Sequence, residues 1–229
     1  ETVDVMVVVK AAEAGDRQVR MSAIDALQRV GDDTCLISLL EIAVGSDDEL
    51  AEAAQETLAV LPGDSVDGKI GVMLPTANGA TQNLLLQLVG QRRIVSEVEA
   101  VEKFLASSDE SLRRAALVAL GEIVSLEKLP VLISQVVRPA HAEDAIVAQQ
   151  ALKTASVRMP DREACGAKLT DALTLPASTV RQLPRCGRAT LDQLRVVSDA
   201  VRPSYNEPIR GGGKNRIPVY CDGRNWTAH

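Results

Sequence analysis

Five stretches of this chain can be laid one over another. Val19, Leu50, Thr81, Leu112 and Val147 recur at steps of 31, 31, 31 and 35 residues, and each heads the same pattern. Three residues ahead stand Asp16, Asp47, Asn78, Asp109 and Asp144, types whose short side chains accept a hydrogen bond from the first backbone N–H groups of a helix. Four residues behind come Ala23, Ala54, Leu85, Ala116 and Ala151, and eight behind come Leu27, Leu58, Val89, Leu120 and Ala155. Steps of four return to one face of an α-helix, so each copy predicts a capped helix with a small residue and then a larger one turned to its neighbours. A period of this length constrains the fold more than any single motif, because no unit can bury its apolar face alone and each must stack on the next.

Between these helices lie further apolar segments: TVDVMVVVKAAEA, TCLISLLEIAV, VDGKIGVML, VSEVEAVEKFLA and LEKLPVLISQVV. Their apolar residues fall at helical spacing, as at Leu36, Leu39, Leu40 and Ala43, so the unit is a pair of antiparallel helices. Pro130 comes near the start of its helix, where a missing N–H does least harm. Hydrophobic residues are 46% of the chain but aromatics only 2%. The core is therefore one of Ala, Val, Leu and Ile, suited to closely packed helices rather than to a β-sandwich.

The clearest copies, DRQVRMSAIDAL and DESLRRAALVAL, resemble the HEAT repeat in its short bacterial, phycobilisome-lyase-like form, over roughly residues 2 to 183. The resemblance implies an all-α fold, an α–α superhelix of about five and a half hairpins. It also implies a ladder in which Asp and Arg of successive repeats pair. Here the arginine column reads Arg20, Ala51, Gln82, Arg113, Ala148, leaving Arg20 and Arg113 as structural positions beside the five caps. Such arrays are interaction modules, often inside larger bacterial proteins, that hold a protein segment on the concave face lined by the second helices. The expected binding surface is Arg17, Gln18, Gln55, Gln82, Arg113, Arg114 and Gln149, on a module expected to be monomeric. The resemblance leaves one rival, an enzyme or enzyme subunit of the bilin-lyase kind. It points to the bacterial cytoplasm or periplasm; a leader segment is not observable in a sequence that begins at Glu1.

A sixth second helix begins at Val180 and Arg181, but its alanine column falls on Pro184, which a helix interior tolerates poorly. Composition changes there. Residues 184–229 hold 8 of the 25 Lys and Arg but 4 of the 31 Asp and Glu, with both tyrosines and the one tryptophan. Two domains are expected: the helical array at 1–183, and a basic, Gly- and Pro-containing tail at 184–229 that is loop-rich or disordered. That tail fits a linker, a basic peptide folded back on the acidic array, or an anomalous end.

Catalytic constellations are scarce. His141 lies in the turn RPAHAED and His229 ends the chain. Gly211–Lys214 spells GGGK, but Asn215 stands where a phosphate loop needs Ser or Thr. Cys35, Cys165, Cys186 and Cys221 form no Cys-x-x-Cys pair and read as buried or incidental thiols. Carboxylate pairs such as Asp32 with Asp33, Asp47 with Asp48 and Glu143 with Asp144 fall at turns. No metal, no cofactor and no enzyme chemistry is expected. A net charge of −6 disfavours a nucleic-acid partner, and no apolar run reaches bilayer length.

Overall fold

The computed structural model describes residues 4–171, 194–200, 208, 215–221 and 224–228. From Val5 to Asp171 the chain is helical, and it divides into two units at Ile123/Val124. The compositional boundary at 183/184 and the broken copy at Val180 lie outside the described residues.

The first unit contains four hairpins. α1 (Val5–Ala14) packs on α2 (Arg17–Val30), α3 (Leu36–Ala43) on α4 (Asp48–Val60), and α5 (Asp64–Met73) on α6 (Gly79–Gln91). The fourth first helix is broken into a 3₁₀ turn (Val95–Glu97), a short α7 (Val98–Glu102) and a second 3₁₀ turn (Lys103–Ala106), packed on α8 (Glu110–Ile123). The second helices also pack in series, α2 on α4, α4 on α6 and α6 on α8.

The core follows the columns of the sequence. Ala23, Ala54, Leu85 and Ala116 are buried, and so are Leu27, Leu58, Val89 and Leu120. Three of the five caps hold their helices: Asp16 accepts from the Val19 N–H at 3.0 Å, Asp47 from Leu50 at 3.2 Å and Asp109 from Ser111 at 2.8 Å. Asn78 and Asp144 make no cap bond. Gly79, the residue after Asn78, has a positive φ of 51°, which turns the backbone away from cap geometry. Asp144 has helical angles at the end of a 3₁₀ turn, and the residue is buried.

In the second unit, α9 (Leu129–Val137) packs on α10 (Ala145–Arg158), with Ala148, Ala151 and Ala155 buried, and α11 (Arg162–Asp171) follows. The described part of the tail is neither loop-rich nor helical. β1 (Leu194–Ala200), β2 (Asn215–Cys221) and β3 (Trp226–Ala228) form an antiparallel sheet in the order β1-β2-β3. Val197 faces Ile217, and Cys221 faces Trp226. Val219 and Cys221, two apart and hence on one face, are both buried. The all-α reading therefore holds for the array and gives way in the described part of the tail, where the chain forms strands.

Candidate functional site

The long polar side chains of the second helices are the natural candidates for recognition, and the structure gives most of them another task. The last carbonyls of a helix have no partner within it. In each hairpin of the first unit, a side chain from the second helix reaches a carbonyl at the end of the first. Arg20 Nε donates to Ala12 O at 2.8 Å, Gln55 Nε2 to Ala43 O at 2.9 Å and Gln82 Nε2 to Leu74 O at 3.1 Å. Arg113 Nη1 donates to Ser107 O at 3.1 Å and Ser108 O at 3.3 Å. Arg20, Gln82 and Arg113 share the arginine column; in the second hairpin, where that column holds Ala51, Gln55 does the work from one turn later.

The expected surface is thereby redrawn. Arg113 is buried, not solvent-facing, and the amides of Gln55 and Gln82 turn back into their own hairpins. Arg17 is exposed but pairs across two hairpins, with Asp47 at 3.3 Å and Glu49 at 2.9 Å. The ladder step between the first two repeats is thus carried by Arg17, while Arg20 bonds backbone. Arg114 pairs with Glu110 one turn earlier in α8, Gln18 is exposed, and Gln149 is half-buried on α10. His141 Nδ1 stands 3.5 Å from Glu143.

A second kind of tie joins neighbouring units of the repeat. Arg92, at the end of α6, has Nε 2.6 Å from Asp67 on α5 and Nη1 3.0 Å from Leu58 O on α4. Arg158 occupies the same repeat position on α10, and its Nη2 donates to Val124 O at 2.6 Å. These arginines lie outside the columns that sequence periodicity exposes. Their sign was a basic residue closing the second helix.

A cleft of about 490 Å³ lies open across the N-terminal half of α6. Gln55, Asn83, Gln87, Asp109 and Ser111 supply its polar wall, with Val44, Ala80 and Leu84 as apolar floor. The positive φ and missing side chain of Gly79 keep its edge open, since nothing lies within 4 Å of where a Cβ would be. Gln87 Nε2 donates to Asn83 Oδ1 at 2.7 Å. That bond does not use the Asn83 amino group or the Gln87 carbonyl, a donor and an acceptor of the kind a peptide group pairs with.

The turns that flank this cleft are acidic. A second hollow, of about 350 Å³ between the first two hairpins, is lined by Glu13, Arg20, Ser38, Glu41 and Asp47. The Leu50 backbone N–H, and then Arg17, hold the Asp47 carboxyl below the usual range. The Ser111 hydroxyl and N–H do the same for Asp109. Both stay ionised at neutral pH. Among the described residues no cluster of His, Cys, Asp and Glu could hold a metal ion, and no helix is long and apolar enough to cross a membrane.

The cysteines differ from one another. Cys35 and Cys165 are buried thiols, and burial pushes the Cys35 thiol up. Cys221 is disulfide-bonded, which corrects its reading as an incidental thiol. Cys186 lies outside the described residues.

The chain matches no protein-family model and no curated protein. Among solved structures it resembles an engineered protein known from its crystal structure, at 17% identity, with 72% of this chain and 80% of that one covered. The TM-score of 0.39 carries no argument about fold or function.

Proposed function

We propose that the helical array is a HEAT-type α-solenoid and that it serves as a protein-interaction module, holding an extended, basic segment of a partner in the cleft along α6. One observation carries the reading. Asn83 and Gln87, linked to each other, present a donor and an acceptor in a cleft whose other long side chains are spent on the scaffold. Hydrogen bonds from such a pair to main chain would give affinity without reading side chains. Ionised Asp47 and Asp109 on the flanking turns favour Lys or Arg in the captured segment, chiefly through association rate.

The test is a positional peptide library read by fluorescence anisotropy, repeated on Asn83→Ala with Gln87→Ala. Basic peptides should bind, and the double variant should weaken them about tenfold, the loss of two hydrogen bonds to a peptide group. Binding that the double variant leaves unchanged, or a preference for acidic peptides, overturns the proposal.

A further inference from the structure

On α4 and α8 the same three repeat positions are buried, and the contacts at Thr57, Leu61 and Ala119 run to the second helix before them. On α4 and its C-terminal cap these are Leu50, Thr57 and Leu61, exposed by 1%, 2% and 1%. Thr57 Oγ1 donates to Ile24 O on α2 at 3.3 Å, and the Leu61 methyl closes on Gly31. On α8 they are Leu112, Ala119 and Ile123, all buried, with Ala119 against Gly90 of α6. On α2 the same positions are Val19, Ala26 and Val30. Val19 is 45% exposed and Val30 38%. Beside them Met6 and Val7 of α1 are also exposed, and a groove of about 430 Å³ runs between the helices, lined by Val7, Val8, Ala11, Val19, Ser22 and Ala23. The face has the composition of an internal seam.

We infer that this face is where two copies of the chain pair, α2 against α2, about a twofold axis passing between Ser22 and Ala23. The argument is the self-complementarity of the helix. An antiparallel partner in that register sets Val19 on Ala26 of the second copy and brings Val30 to the turn before its α2, at Gly15, so each large residue comes to a small one. Ser22 and Ala23 meet at the crossing, where small side chains let helix axes approach closely. At the two ends Arg29, in the last turn of α2, comes beside Asp16 of the other copy, so both charges are matched twice over. A surface that satisfies itself in this way forms a closed pair rather than an open chain. It continues the established α2–α4 and α6–α8 contacts by one further layer, and replaces the monomer expected from the sequence.

Sedimentation velocity on the full chain tests this, over a concentration series reaching tens of micromolar. The native chain should sediment as a dimer, and Val19→Asp with Val30→Asp as a monomer of unchanged helicity by circular dichroism. Both side chains are more than a third exposed within one copy, and the dichroism separates lost pairing from lost folding. Arg29→Glu, which sets a carboxylate against Asp16 of the second copy at both ends of the seam, should weaken association on the order of tenfold, an effect that added salt reduces. A native chain that stays monomeric throughout, or a dimer indifferent to both variants, overturns the inference.

Discussion

Gly90 gives the sharpest test of how the second helices stack. It lies in the last turn of α6 against α8, and a Cβ placed on it would stand 3.0 Å from Ala119 Cα and 3.5 Å from Ala119 Cβ. Carbon atoms reach their optimal separation at about 3.5–4.0 Å, so even alanine requires α8 to retreat by several tenths of an ångström. Exchanging an interior helical glycine for alanine otherwise stabilises by about 1 kcal/mol, whereas overpacking a close contact costs about 1–3 kcal/mol. Gly90→Ala should therefore destabilise by about 1 kcal/mol. Gly90→Val, with two more methyl groups and a stiff χ1, should destabilise by about 3 kcal/mol. The control is Gly68 in α5, where a Cβ meets nothing within 4 Å; Gly68→Ala should gain about 0.5–1 kcal/mol. Urea unfolding followed by far-ultraviolet circular dichroism measures all three. Ala119→Gly should not rescue Gly90→Ala, because the nearest atom is the Ala119 Cα that every residue carries. Equal gains from Gly68→Ala and Gly90→Ala would show that the two helices do not approach so closely and would refute the reasoning.

Other consequences are open to simpler measurements. Arg92→Leu leaves the Leu58 carbonyl and the Asp67 carboxylate without their donor; with the Arg92 side chain 9% exposed but Asp67 35%, the loss should be about 2–4 kcal/mol in urea midpoints. Arg92→Lys should recover only part of it, since one ammonium cannot span both acceptors in the guanidinium's geometry. Asp32, Asp47 and Asp109 all have lowered folded-state values, from Thr34, Leu50 with Arg17, and Ser111 respectively. Their contribution is complete above the unfolded carboxylate value near ~4 and fades as pH falls through the lower folded values, so thermal melts should drop below about pH 4. Asp109→Asn should flatten that drop. Alkylation of the denatured chain without reductant, mapped by peptide mass, should modify Cys35 and Cys165 and leave Cys221 until the disulfide is reduced; modification of Cys221 in the unreduced chain would contradict the bond.

The helices were legible because periodicity is written by burial. Ala54 and Leu58 had to recur where they do, or α4 could not seat between its neighbours. The caps were legible where they act locally, as at Asp16, and not where the next residue sets the backbone, as at Asn78 before Gly79. The hydrogen-bonding roles of Gln55 and Gln82 were hidden because an amide on a helix reads the same whether it meets solvent or a carbonyl at the end of an adjoining helix. Solvent exposure inferred from residue type misplaced Arg113 for this reason. The cleft on α6 was invisible because Asn83 and Gln87 gain significance only from what the other polar residues have already bonded. In the tail the strands alternate faces every second residue and carry no period of 3.6, and Pro218 stands within β2, a residue type that argues against a strand when read alone.

The carbonyl-reaching side chains bear on how such an array can diverge. What each hairpin of the first unit holds is a donor of sufficient length at the foot of its first helix. Arginine, glutamine in the same column and glutamine a turn later all meet that need. Selection acting on the bond leaves the letters free to drift, so neighbouring copies can become strangers in spelling while remaining interchangeable in construction.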